Sequence, residues 1–270
     1  MLKIINLESW SSFEEEIQHT LNSQREILIE STSLPLLFRG HSDATWDLET
    51  TLERVIGSDL GLAEYYSIIS GIRPRLETFT GNTWNIPTLK EYMSWLEVNP
   101  SPEVANPSLD FMGYLRHYGF PSPLLDWTLS PYIAAYFAFR DMANKAESVA
   151  IYVYYPGIYT LTSQLEKPRI YPLWGDFRNN KRHYLQQSIY TVCIRKDKDG
   201  VSFARHDKIY TEQDEDGERL IKYVLPSSEK GIALLSLESY NINAYSLFGT
   251  EESLLEALFM RYYGLRKARK

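Results

Sequence analysis

The chain has 270 residues, of which 44% are hydrophobic and 23% charged, the balance of a folded globular protein, so intrinsic disorder is excluded. The formal net charge of −7 excludes a general attraction to nucleic acid or to an anionic membrane, so any anion site must be local. Cys193 is the one cysteine and the chain opens with no apolar signal stretch, which predicts a reduced, cytoplasmic protein. The apolar runs are far shorter than the roughly 20 residues of a membrane span, so we expect no membrane partner.

The first hundred residues predict helices around one short strand. Ser11 and Glu14 form a capping-box pattern in which each side chain satisfies a free backbone donor, and this predicts the start of the first helix. Residues 35–40 form a short apolar run that ends in Arg and Gly, which predicts a buried strand. The pattern over 51–95 is helical, and we expect interruptions at its prolines, first at Pro74.

The remaining residues add strands, and no repeat or linker divides the chain. Residues 120–127 are too rich in proline for a helix and too apolar for an exposed loop, so we expect a buried extended connection. The spacing predicts a single α+β domain over 1–270 with a mostly antiparallel sheet. The expected helices cover 108–117, the residues after Pro131, those after Ser228, and 251–260, and the expected strands cover 148–155, 188–194 and 220–225.

The first stretch that suggests chemistry is the end of the strand at residues 38–41. Arg39 at the end of an apolar strand must be partly desolvated, which a planar bidentate partner such as phosphate or carboxylate repays. Gly40 would let the backbone approach a bound group closely. The alternative is that Arg39 pairs with an internal acid such as Asp126 and only ties the fold together.

The second stretch is residues 117–138, where polar groups surround a segment stiffened by proline. Such a segment can hold an imidazole, a phenol, a carboxylate and hydroxyls rigidly beside an aromatic wall. The alternative is that Asp126 caps the following helix and that Trp127 belongs to the core. The candidate side chains are those of His117, Tyr118, Asp126, Trp127, Thr128 and Ser130.

Other sites are less favoured. The five histidines are dispersed and no zinc-type Cys/His spacing occurs, so no metal is expected. Arg178, Lys181 and Arg182 form a basic cluster that could line a groove, although a solvated loop is the simpler interpretation.

These stretches resemble the FRG domain, a family named for an aromatic-Arg-Gly motif. Phe38-Arg39-Gly40 fits that motif, and the block from His117 to Ala138 (HYGFPSPLLDWTLSPYIAAYFA) fits the family's second signature almost without departure. Weaker similarity at Gln186 to Thr191 and at residues 225–248 extends the resemblance over about 36–258. An N-terminal helix and a short basic C-terminal tail are then extensions of one FRG domain. The family has no assigned biochemical activity that the resemblance could supply.

A more distant resemblance is to the ADP-ribosyltransferases, whose split antiparallel sheet carries flanking helices. In that fold an arginine binds the pyrophosphate of NAD, a hydroxyl-bearing turn supports the nicotinamide pocket, and a late-strand acid aligns the ribose. By position the resemblance implies Arg39 for the diphosphate, Thr128 or Ser130 at the hydroxyl turn, and Gln186 or Gln187 where the acid is expected. NAD would then be a substrate.

The missing acid leaves the reaction to another residue. Glutamine can hydrogen-bond a ribose hydroxyl but cannot offset the positive charge of an oxocarbenium-like transition state. Asp126, with His117 beside it, is therefore the candidate catalytic group, while Tyr118 or Trp127 would stack on the nicotinamide ring.

Two functions follow. The first is an NAD-consuming enzyme, an ADP-ribosyltransferase or NAD glycohydrolase, of the kind found in bacterial toxins and phage-defence effectors. Its acceptor would be an unknown protein or nucleic acid, and a neutralising partner protein could exist. The enzyme function predicts that one cleft brings together Arg39, His117, Tyr118 and Asp126. The second is a non-catalytic module that binds a nucleotide or a partner, with Arg39 and Asp126 locked together.

Overall fold

The computed structural model describes residues 2–30, 34–57, 60–98, 107–141, 145–156, 168–174, 181–197, 200–208 and 219–267. These residues form eight strands: β1 (Lys3–Asn6), β2 (Leu37–His41), β3 (Leu124–Thr128), β4 (Ser148–Tyr155), β5 (Arg169–Leu173), β6 (Ser188–Asp197), β7 (Gly200–Phe203) and β8 (Arg219–Pro226). They also form ten α-helices: α1 (Trp10–Glu30), α2 (Thr51–Ile56), α3 (Leu62–Thr80), α4 (Leu89–Val98), α5 (Leu109–His117), α6 (Pro131–Phe139), α7 (Lys181–Leu185), α8 (Lys230–Ser239), α9 (Ala244–Phe248) and α10 (Glu251–Lys267).

The strands form one open mixed sheet with helices packed against it. Its order is β1-β8-β4-β2-β3-β6-β5, and β7 pairs with β6 outside that path. Every pair is antiparallel except β1 and β8, which run parallel. The expectation of a mixed α and β fold with flanking helices is confirmed. The sheet is mostly antiparallel, as expected, and only the N-terminal strand β1, which the local sequence pattern did not predict, adds to its edge in parallel.

The sheet opens between β2 and β3. β2 pairs with β4 along its full length, and β3 pairs with β6 along its full length. β2 and β3 share a single registered pair, Phe38 with Thr128. Beyond that pair the two strands separate, which leaves Arg39 on one strand and Asp126 on the other beside a gap.

Side chains of the sheet alternate between separate apolar clusters. On β4, Val149, Ile151 and Val153 pack in a cluster with α1, α6 and α8, while Tyr152 and Tyr154 pack in a cluster on the opposite face. This is the period of two expected of a strand buried on both faces. A further cluster joins α3, α4 and α5 to the half of the sheet that contains β3, β5 and β6.

Three local expectations differ from the structure. Pro74 does not break α3, which continues to Thr80, because one face of the helix is buried in the core. The segment 120–127 is not a plain connection, since β3 begins directly after Pro123. The capping pattern of the first helix is shifted, with the hydroxyl of Ser9 accepting from the backbone N–H of Ser12.

The C-terminal helix is longer than the sequence predicted. α10 continues past the predicted end of the last helix and includes the first part of the basic tail. In the described ranges no helix combines the length and apolarity needed to cross a bilayer, and no group of three or more metal-ligating side chains is found.

Candidate functional site

A cavity of about 570 Å³ opens where β2 and β3 separate. Its wall includes residues of α6 together with residues at the end of α5 and in α7. Asp126 is the one carboxylate residue in the described part of the wall, so the cavity is strongly cationic. Its arginines are Arg39, Arg54, Arg116, Arg140 and Arg182.

Arg39 is anchored by β2 and reaches across the gap to β3. Its side chain is only 15% exposed. One terminal nitrogen donates to the backbone carbonyl of Asp126 at 2.6 Å, and Nε donates to Nε2 of His41 at 3.0 Å. Burial, with smaller contributions from repulsion by Arg116 and Arg54, lowers the pKa of Arg39 to about 10 against the attraction of Asp126. The guanidinium therefore stays charged at neutral pH in a position where an anion would relieve its repulsion.

His41 is buried beside Arg39 and is held neutral. Burial, followed by repulsion from Arg39, lowers the pKa of His41 to about 2. Since Nε2 accepts from the arginine, it carries no proton in this arrangement. His41 thus orients Arg39 without adding charge to the cavity.

Asp126 pairs closely with Arg116 and only at the limit of ion-pair distance with Arg39. Nε of Arg116 donates to Oδ1 at 3.3 Å and a terminal nitrogen donates to Oδ2 at 2.5 Å, a bidentate pair. The nearest terminal nitrogen of Arg39 is 4.0 Å from the carboxylate. Desolvation raises the pKa of Asp126, but the attraction of Arg116 and Arg39 is stronger and holds that pKa below its ordinary value. Asp126 is therefore an ionised group that stays 44% exposed toward the cavity.

His117 lies in the wall, at the last turn of α5, while Tyr118 does not. Desolvation and repulsion by Arg182 lower the pKa of His117. Tyr118 is 70% exposed, and its ring packs against Tyr114 and His117 outside the cavity. Of the four residues expected to converge, Arg39, His117 and Asp126 line one cavity and Tyr118 is beside it.

The residues around the start of α6 have clear structural contacts. The Trp127 side chain is 2% exposed, and its indole N–H donates to the hydroxyl of Thr191. The hydroxyl of Thr128 donates to the carbonyl of Gln186, and Ser130 is the N-cap of α6. A Cβ on Gly40 would lie 1.9 Å from a carbonyl oxygen of α6, so glycine lets this helix pack on β2.

The two glutamines also have structural contacts. Gln186 is part of the cavity wall, and its side-chain amide donates to the carbonyl of Leu247 at 3.2 Å. Gln187 has a φ of 48° and its carbonyl accepts from the N–H of Leu129, so it forms the turn before β6. Neither contact offers a charged group to a ligand.

Several residues of the wall were not found from the sequence. Arg116 directly precedes the His-Tyr-Gly signature, and the carboxylate of Asp126 within the same block was the signal that could have found it. Arg54 and Arg140 are single arginines at the ends of α2 and α6 and gave no signal. Phe248 brings an aromatic ring from α9 and packs edge-on against Phe137 of α6.

Of the basic cluster, Arg182 lies on the helix α7 in the cavity wall, as the groove interpretation expects. Arg182 lines the cavity and its guanidinium lies over the ring of Phe248, 5.5 Å from the centroid. Arg178 lies outside the described residues.

Comparison with known proteins identifies the part of the chain that carries most of this wall. Residues 35–147 match the family model of the FRG domain. No curated protein and no solved structure matches the chain. The matched residues include Arg39, Arg116 and Asp126, whereas Arg182 and Phe248 lie beyond them. The chain therefore contains an FRG domain, which supplies the arginines and the carboxylate at the gap between β2 and β3.

Proposed function

We propose that the cavity binds NAD, with Arg39 as the principal contact to the diphosphate. The support is the charge of the wall, where five arginines face one carboxylate that Arg116 already neutralises. A guanidinium fork matches the geometry of phosphate oxygens, and an anion would offset the burial and the repulsion that together lower the pKa of Arg39. The cavity volume of about 570 Å³ lies within the range of small-molecule pockets, roughly 300 to 1,000 Å³.

The reaction proposed for bound NAD is cleavage of the bond between nicotinamide and ribose. Nicotinamide leaves with the bonding electron pair, positive charge develops on the ribose, and water or an acceptor protein or nucleic acid then attacks. Asp126 would stabilise that charge electrostatically, and its lowered pKa keeps it in the required ionised form. Support for this function over simple binding is the arrangement itself, a sheet that opens at an arginine beside a hydroxyl-bearing turn into a helix, as in the ADP-ribosyltransferases.

The bidentate pair between Arg116 and Asp126 favours a second candidate, a nucleotide-binding module without turnover. A carboxylate whose charge is already offset by a guanidinium stabilises a developing cation less well. The two candidates share the binding step and differ only in whether nicotinamide is released.

The test is calorimetric titration with NAD together with an assay for released nicotinamide. The wild type should bind, and Arg39→Lys, which keeps the charge but loses the fork, should bind at least roughly tenfold more weakly. Arg261→Lys is the matched control, because Arg261 pairs with Glu238 on the exposed surface away from the cavity, and it should behave as wild type.

Melting temperatures show that the variants are folded. Release of nicotinamide by the wild type supports the enzyme, whereas binding without release supports the module. No binding by folded wild type, or equal binding by Arg39→Lys, would contradict the proposed site.

A further inference from the structure

The arginines of the cavity form two groups. Arg39 and Arg116 share the carboxylate of Asp126 at the gap between β2 and β3, and Arg54 is near enough to Arg39 to contribute to lowering its pKa. Arg140 and Arg182 instead share the ring of Phe248, at 4.5 and 5.5 Å from its centroid. One group suits the diphosphate, and the other is a separate concentration of positive charge in the same wall.

The ion pairs of the protein leave this second group only partly neutralised. Arg140 pairs with Glu256 through its terminal nitrogen at 3.2 Å. Among the described residues, no carboxylate lies within ion-pair distance of Arg182. Glu252 is near enough for Arg182 to contribute to lowering its pKa, after hydrogen bonds at the helix start. Attraction of both cations to the ring of Phe248 holds them together and leaves N–H donors of Arg182 for a ligand.

NAD does not supply enough negative charge for this wall. When Arg116 is paired with Asp126 and Arg140 with Glu256, the cations that remain are Arg39, Arg54 and Arg182. The diphosphate carries two negative charges and the nicotinamide ring carries one positive charge. A further phosphate monoester adds about −1.5 to −2 at neutral pH.

We infer that Arg182, supported by Arg140 on Phe248, binds a third phosphate group, and that the preferred ligand is a dinucleotide phosphorylated on a ribose, of the NADP class. The inference rests on the proposed binding of the diphosphate at Arg39. It names the substrate class of the same cavity.

The experiment compares the dissociation constants of NAD and NADP by calorimetry for the full chain. In the wild type NADP should bind roughly tenfold or more tightly, as expected of a hydrogen-bonded charge pair. In Arg182→Gln the ratio of the two constants should fall close to one, and Arg182→Lys should retain part of it. Arg261→Gln removes an exposed arginine of the same charge and should keep the wild-type ratio.

The outcomes separate this inference from the proposed function. If NAD binds and depends on Arg39, but NADP binds no more tightly or Arg182→Gln keeps the preference, the third phosphate site is refuted while the diphosphate site stands. If neither dinucleotide binds to folded protein, both are refuted. Binding of a 5′-phosphorylated oligonucleotide in place of either dinucleotide would also overturn the assignment to the NADP class.

Discussion

His206 is a buried imidazole that makes the folded protein less stable in acid. It is fully buried, and its Nε2 lies 3.0 Å from the hydroxyl oxygen of Thr191. That oxygen also accepts from the indole N–H of Trp127, so the imidazole, the hydroxyl and the indole form one buried polar group. Nδ1 has no hydrogen-bond partner among the described residues. Burial, followed by repulsion from Arg39, lowers the pKa of His206 to about 3.

The size and sign of the effect follow from proton linkage. The unfolded chain takes up this proton near pH 6.5, well before the folded protein does, so the stability due to the neutral imidazole is complete above that pH. It is lost as the pH falls from 6.5 toward 3, at about 1.4 kcal/mol for each pH unit. Between pH 7.5 and pH 5.0 His206 should therefore lower the free energy of unfolding by about 2 kcal/mol.

Urea denaturation followed by tryptophan fluorescence at the two pH values measures this loss in wild type and in His206→Gln. The loss of free energy between the two pH values is measured for each protein. The contributions of other titrating groups cancel when the loss in the variant is compared with the loss in the wild type. The loss should be about 2 kcal/mol smaller in the variant. The imidazole resonances of His206 should also remain those of the neutral form at pH 5.0. Equal losses, or a charged imidazole at that pH, would show that burial does not hold His206 neutral.

Three further predictions concern the cavity. Gly40→Ala forces α6 away from β2 and should lower the free energy of unfolding by about 1 to 3 kcal/mol, whereas Gly231→Ala, where a Cβ meets nothing within 4 Å, should not lower it in the same denaturation assay. Asp126→Asn leaves Arg116 without its carboxylate, so the free energy of unfolding should fall by about 1 to 2 kcal/mol, a modest loss because the pair is partly exposed. The same variant should release no nicotinamide, and an active variant would exclude Asp126 from the reaction. Desolvation and Arg182 lower the pKa of His117, and NAD phosphates bound in the same cavity would raise it. Calorimetry should therefore show tighter NAD binding at pH 5.5 than at pH 7.5, and equal affinity at both would show that the bound phosphates lie away from His117.

Local patterns predicted the strands that the core buries on both sides. The apolar run at residues 35–40 became β2, and the β-branched and aromatic run at 148–155 became β4, because a continuous apolar stretch of that length suits a central strand. β1 was not predicted, since its role depends on parallel pairing with β8 at the far end of the chain. Such long-range pairing leaves no local signal.

The site shows the same division. The FRG signature led to Arg39 and Asp126, which do face one cavity. The sequence could not show that Arg116 would take the carboxylate, because both an ion pair with Arg39 and one with Arg116 satisfy the same residue types. Phe248 could not be predicted either, because α9 comes to α6 only through tertiary packing.

A crystal structure of the protein grown with NAD tests the proposed diphosphate site at Arg39 most directly. We predict the diphosphate in the cavity between β2 and β3, with its oxygens within hydrogen-bond distance of the Arg39 guanidinium. A dinucleotide bound at another surface, or a cavity that stays empty at saturating NAD, would contradict the proposed diphosphate site.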